Sequence, residues 1–260
     1  MAYSTLTLAS EDHVSTLTLN RPEKRNAISR EMIEELHRSL QEIELSPARV
    51  VILAGAGPVF SAGMDLNYLR EFPSLSKADI WADARRIAGL FRRLWGFPKV
   101  LIAAVHGPAI AGGTGLATLA DFTLASPEAR FGYTEVRIGF MPAIVASFLV
   151  RQIGEKAARG LLLSGKLIGA EEACRIGLVS EVVPADKLME RAKGLAQELA
   201  SLSPLALVHT KRLIVGFSER ELDRELEQAI AASAEMRGTA DFREGISAFL
   251  EKRKPVWLGE

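Results

Sequence analysis

The chain has 260 residues, with 32 Lys and Arg against 32 Asp and Glu and 48% hydrophobic residues, which suits one large soluble domain with a smaller appendage. Its neutral balance argues against a nucleic-acid partner, and a single cysteine, Cys174, excludes an intramolecular disulfide and most cysteine-based metal centres. The first eight residues lack a basic-then-apolar leader, and no stretch holds about 18 uncharged apolar residues, so a cytoplasmic protein without a membrane partner is expected.

In chain order, residues 5–8 and 14–19 alternate apolar with polar around Ser10-Glu11-Asp12, the pattern of a hairpin. Ser29 is an N-cap for a helix carrying Met32, Ile33, Leu36, Leu40 and Ile43 on one face, up to Pro47. Val50 to Ala54 reads as a buried strand, and residues 73–96 contain an amphipathic helix through Ile80, Ala84, Ile87, Leu90, Phe91 and Leu94. Strand 100–105, a glycine turn, a helix to Ala120 and strand 122–125 repeat the rhythm. Helices follow at 143–153 and 156–163, then a short helix and strand within 165–183. After Pro184 the chain turns helical: Ser203-Pro204 starts one helix, and Glu219 to Met236 forms a charged amphipathic one. The expected class is α/β, with a core over 1–200 and a helical region over 201–260.

Chemistry concentrates in two glycine turns, each after an apolar strand: Phe60-Ser61-Ala62-Gly63-Met64-Asp65 and Ile110-Ala111-Gly112-Gly113-Thr114-Gly115. Glycine lets a ligand approach the main chain, and the first N–H groups of a helix lack internal acceptors. Two such turns form an oxyanion hole. Proton transfer would then fall to Glu135, set among Phe131, Tyr133 and Val136, where burial raises a carboxyl pKa; a surface carboxylate or an ion pair is the plain alternative. His106, before Gly107-Pro108, reads as a turn histidine bonded to backbone, and Cys174 as a small packing residue. No Gly-x-Ser-x-Gly elbow, complete dinucleotide fingerprint or P-loop is present.

Ordered blocks along nearly the whole chain resemble the enoyl-CoA hydratase/isomerase, or crotonase, superfamily. They include Asn20-Arg21-Pro22, Asn26-Ala27-Ile28, Phe60 to Leu66, His106 to Ala109, Ala111-Gly112-Gly113, Ala129 to Gly132, Glu135, Gly139 to Pro142, Ala170 to Ala173, Gly177-Leu178-Val179 and Glu244-Gly245 to Lys254. The resemblance implies a spiral of ββα turns with a C-terminal region that builds homotrimers, commonly paired into hexamers. It implies an acyl-CoA thioester as substrate, coenzyme A being part of that substrate, with no separate cofactor and no metal. The oxyanion donors map to the N–H groups of Met64 and Gly112, and the proton carrier to Glu135. Coenzyme A contacts map to Lys24, Ala27, Ala62, Asp65, Leu66 and Gly113, with Phe249 and Lys252 matching positions that reach it from a neighbouring subunit.

One departure bears on the reaction. Two-glutamate hydratases of the family carry a second glutamate where this chain has Gly115. Residues 131–143 look most like the methylglutaconyl-CoA-type hydratases, whose members can also have glycine there. Hydration or dehydration of a 2-enoyl-CoA is therefore expected, with Δ3,Δ2-isomerisation on Glu135 alone as the alternative and a non-catalytic acyl-CoA-binding protein as a third reading. Acyl-pocket depth is expected to depend on Tyr68, Trp81, Phe91, Phe140 and Ile144.

Overall fold

The computed structural model describes residues 3–259, apart from the side chains of Leu66 and Pro73. Strands β1 (Leu6–Glu11) and β2 (Val14–Leu19) form the expected hairpin. Its turn is Asp12-His13, both at positive φ (46° and 65°), so the first strand runs to Glu11 and the connection is a two-residue one. Helix α1 (Arg30–Leu45) starts at Ser29, whose side chain accepts from the Met32 N–H, and buries the predicted face.

The chain then makes three similar turns. Strand β3 (Val50–Gly55) leads to a bridge at Ser61, a short helix α2 (Leu66–Glu71) and the long helix α3 (Lys77–Trp95). Strand β4 (Val100–Val105) leads to β5 (Ala109–Ile110) and α4 (Gly112–Thr118). Strand β6 (Phe122–Ala125) leads to β7 (Arg130–Gly132) and α5 (Ala143–Ser164). Each turn gives one strand to a large sheet, a residue or strand to a small one, and a helix outside both. Strand β8 (Ile168–Gly169), α6 (Ala170–Arg175) and β9 (Glu181–Val182) close the spiral. The large sheet has the order β1-β2-β3-β4-β6-β9, parallel from β2 onward, and the small one β5-β7-β8.

The central strands β3 and β4 carry no polar side chain because both faces are covered. Val51, Leu53, Leu101, Ala103 and Val105 join the main core with α1 and α3. Val50, Ile52, Val100, Ile102 and Ala104 pack beneath α7 (Leu188–Ala200) through Leu188, Ala192 and Ala196. Helix α5 is two segments joined at Gly154 (φ 75°), matching the two helices read from the sequence.

Three helices end the chain: α8 (Pro204–Gly216), α9 (Glu219–Met236) and α10 (Ala240–Glu251). They do not form a detached module. Helix α9 lies on α3 and α5, and α10 on the 3₁₀ turn at Glu135–Ile138. A Cβ at Gly245 of α10 would stand 2.2 Å from the Ile138 carbonyl oxygen, so only glycine allows this helix to press on that turn. The C-terminal region therefore braces the segment that carries Glu135.

Candidate active site

The two glycine turns interlock. Ser61 donates its N–H to the Pro108 carbonyl (3.2 Å) and accepts from the Ile110 N–H (2.9 Å), so the loops run side by side. Gly63 (φ 85°) touches the other turn, where a Cβ would come within 2.8 Å of the Ile110 oxygen. Gly113 sits reciprocally on Ser61, whose carbonyl oxygen would be 2.5 Å from a Cβ there. These glycines bring two loops from different turns of the spiral into contact.

That contact carries two donors to one place. Ile28 gives its N–H to Gly63 and takes the Asp65 N–H, at 2.7 and 3.0 Å, so the intervening Met64 N–H faces away from its strand partner. Ala111 binds the Gly132 carbonyl through its N–H (2.7 Å) and holds φ 51°, ψ −122°, a conformation costing a residue with a Cβ about 1–3 kcal/mol. That sharp entry into α4 leaves the Gly112 N–H outside the helix ladder. Among the described residues neither the Met64 nor the Gly112 N–H has a backbone acceptor. Both residues line one cavity of about 610 Å³.

Glu135 lines the same cavity. Thr114 anchors the strand before it, its hydroxyl donating to the Ala109 (2.6 Å) and Gly132 (3.0 Å) carbonyls and accepting from the Gly132 N–H (3.1 Å). Part of Glu135 faces the cavity, while Oε2 is closed off from solvent without a hydrogen-bond partner. Burial pushes its pKa up to about 7, and only a local backbone hydrogen bond works against that rise. Such a carboxyl can both take and return a proton at neutral pH.

The remaining predicted residues divide. Lys24, Ala27, Ala62, Asp65 and Phe249 line the cavity. Asp65 spends its carboxylate on Arg21 (2.9 Å) and on the Asn67 N–H (2.9 Å), where it caps α2. Phe249, although 52% exposed, also borders the cavity of its own chain. Lys252 is exposed in a left-handed C-cap of α10 and does not line it. Gly113 is also off the lining, its space being taken by Ser61. Leu66 opens α2, and its side chain lies outside the described residues. Of the expected depth residues, Phe91, Phe140 and Ile144 line the cavity, whereas Tyr68 is buried against Phe72 and Trp81 packs elsewhere on the core.

Gly115 is fully enclosed: a Cβ would meet Val145 Cγ1 at 3.1 Å and Phe91 Cζ at 3.2 Å. Apolar side chains fill the space around the second-glutamate position. His106 bonds through Nε2 to the Gly57 carbonyl at 2.8 Å, as its turn position suggests. In the basic tail, Arg253 is held by Glu244 and Glu251, which neutralises much of the cationic run.

Two contributors have no signal in the sequence. Ala111 takes a glycine-like conformation without being glycine. Arg237 lines the cavity and pairs with Asp83, 154 residues away; nothing local marks either partner.

Known proteins resemble this chain along nearly its whole length. A family model described as Enoyl-CoA hydratase/isomerase matches residues 9–260. A Thermus thermophilus protein bearing the provisional name enoyl-CoA hydratase is 44% identical, with 94% of this chain and 96% of the relative covered. The Escherichia coli 2,3-dehydroadipyl-CoA hydratase is 37% identical over 98% and 99% of the two chains. Among solved structures, an enoyl-CoA hydratase/isomerase from Xanthobacter autotrophicus superposes with a TM-score of 0.88 at 30% identity, covering 97% of this chain and 98% of that one.

Proposed function

The chain belongs to the enoyl-CoA hydratase/isomerase family, has the crotonase fold, and on that premise we propose that it hydrates a 2-enoyl-CoA, or dehydrates the product, using Glu135 as its single proton carrier. The observation that carries this reading is the buried Glu135 carboxyl, raised to about 7, on the same cavity as two backbone N–H groups without acceptors.

The thioester oxygen would accept from Met64 and Gly112. Ionised Glu135 takes a proton from water as the water oxygen bonds C3, and the C2–C3 π electrons move onto the thioester as an enolate. The protonated carboxyl then returns that proton to C2. Donors aimed at the developing oxyanion contribute about 3–4 kcal/mol each where one has been removed. The adenine and phosphate portion of coenzyme A would lie near Lys24, Ala27 and Ala62, which line the cavity. The motif over 131–143 supports a short, branched acyl group of the methylglutaconyl type.

The packing around Gly115 favours a second reading. With Phe91 and Val145 against it, water has no second carboxylate to hold it, and one base suffices for isomerisation: Glu135 removes a C2 proton from a 3-enoyl-CoA and returns it at C4. An acyl-CoA panel analysed by mass spectrometry separates the readings. A gain of one water means hydration, unchanged mass with new conjugated absorbance means isomerisation, and binding without either product leaves a non-catalytic acyl-CoA-binding protein.

We also infer a homotrimer or a dimer of trimers built on the C-terminal helices. Leu205, Leu213, Ile214 and Phe217, on α8 and at its end, are 59–76% exposed, a row of large apolar side chains that an isolated chain would leave in water. Light scattering coupled to gel filtration tests this: a monomer at micromolar concentration rules it out.

A further inference from the structure

The cavity holds a buried cation that this mechanism does not use. Arg237, just past the end of α9, is 5% exposed and lines the cavity. Its two hydrogen bonds both leave from Nη1, to Asp83 Oδ2 (2.7 Å) and, weakly, to the Ile80 carbonyl (3.5 Å). Nε is buried without a partner, and the Nη2 side of the guanidinium makes no hydrogen bond among the described residues. Phe72 and Phe140 hold the group in place, their ring centroids 4.4 and 5.6 Å from Cζ. Ser233, one helical turn earlier on the same face, also lines the cavity.

Charge is unbalanced here. Asp83 is shared, since Arg86 binds its other oxygen at 3.2 Å, and among the described residues neither arginine has another carboxylate within ion-pair distance. Arg86 keeps its side chain 31% exposed to water whereas Arg237 is buried, so sharing the carboxylate leaves part of the Arg237 charge unmet in a largely apolar wall, which is costly unless an anion meets it. An acyl chain ending in methyl would cover Nη2 without satisfying it, beside an Nε that already has no partner.

Position gives the length. Phe91 stands against Gly112, 3.9 Å from a Cβ there, and Asp83 lies eight residues earlier on α3, about 12 Å along the axis. With that rise taken as the span from the oxyanion donors to Arg237, two hydrogen bonds of ~3 Å, one at each end, leave room for an extended acyl group of about five or six carbons. A carboxylate can accept from Nη2, the one guanidinium nitrogen here neither bound nor closed off, in a charge-assisted hydrogen bond.

We propose that the acyl group processed here is the monothioester of an unsaturated dicarboxylic acid, its free carboxylate received by Arg237 at the end of the cavity remote from the oxyanion donors. This rests on the reading of the cavity as an acyl-CoA site. It makes Arg237 a specificity residue, remote from the bonds that change.

The test separates binding from turnover. Calorimetric titration of the whole protein with glutaryl-CoA and butyryl-CoA, unreactive esters differing in the distal carboxylate, should show glutaryl-CoA binding at least tenfold tighter. In Arg237→Met the affinity ratio should fall to near one, and in Arg237→Lys to an intermediate value. Equal affinities in the unmodified protein, or a ratio unchanged by Arg237→Met, overturn the proposal. If Arg237→Met does not fold, Asp83→Asn/Arg237→Met removes both charges and must collapse the ratio likewise. Glutaconyl-CoA and crotonyl-CoA are compared in parallel for turnover. A tenfold binding preference with neither ester converted leaves the carboxylate site standing and defeats the reaction reading; conversion of both with equal kcat/KM and equal affinities does the reverse.

Discussion

Two buried carboxylates, Glu135 and Asp83, line or flank the same cavity and meet opposite surroundings. Asp83 is fully buried and bound by two guanidinium groups. Among the described residues Glu135 has no ion-pair partner and one of its oxygens has no hydrogen-bond partner, and its pKa rises to about 7. The chemistry of the group is the same in both. What differs is whether the fold supplies a counter-charge: Asp83 meets one and ties α3 to the end of α9, while burial without one raises the pKa of Glu135.

The contrast breaks most sharply at Glu135→Gln. Turnover should fall by about 10⁴-fold, ~5 kcal/mol in the barrier, with acyl-CoA affinity within a few-fold; turnover surviving in this variant removes Glu135 from the mechanism. Asp83→Ala should act on stability instead, because it strands Arg237 in the interior. A loss of about 4 kcal/mol is expected from urea unfolding, and an unchanged midpoint would mean that the pair is incidental.

The pH dependence gives the next largest effect. Glu135 has a folded-state pKa above its ordinary 4.5, so the folded protein holds the proton more tightly than the unfolded chain. The stability linked to that proton is complete below about pH 4.5 and is lost as pH rises through about 7. Between pH 5 and 8 the Glu135→Gln protein should therefore gain ~1–3 kcal/mol relative to the unmodified one; parallel stability curves would show that burial does not hold the proton. The kcat/KM profile should rise along a single limb with an apparent pKa near 7, since the ionised form accepts the first proton, and a second limb at acid or neutral pH would reveal another titrating group.

The smallest effect is at Gly115→Ala. The added methyl must displace Phe91 and Val145 by a few tenths of an ångström while gaining helix propensity, a net cost of about 1 kcal/mol. A large stabilisation would mean that the space is open and could hold water.

Much of the fold was legible in the residues. Ser29 capped its helix, Glu219 to Met236 formed one helix, and the unbroken Val/Ile/Leu runs became central strands covered on both faces. Helix α2 was not foreseen: at six residues it has too few turns to show a period, and only the Asp65 cap marks its start. The candidate site was legible where backbone conformation depends on local sequence, at the glycine turns and at Glu135 amid aromatic neighbours. Gly113, expected among the coenzyme A contacts, packs against Ser61 and does not line the cavity; a glycine needed for such packing and one needed to admit a ligand look alike in one dimension.

By itself, then, the amino-acid sequence determined most of the order of strands and helices, the two glycine turns and the apolar setting of Glu135, because periodicity, capping and glycine freedom act over a few residues. Tertiary structure alone decided that Gly63 and Gly113 would lock those turns together, that Gly245 would let α10 brace the Glu135 turn, and that Asp83 would find Arg237 at the inner wall of the cavity. Those outcomes depend on burial and on contacts between residues up to 154 positions apart, and no local pattern encodes the absence of a counter-charge.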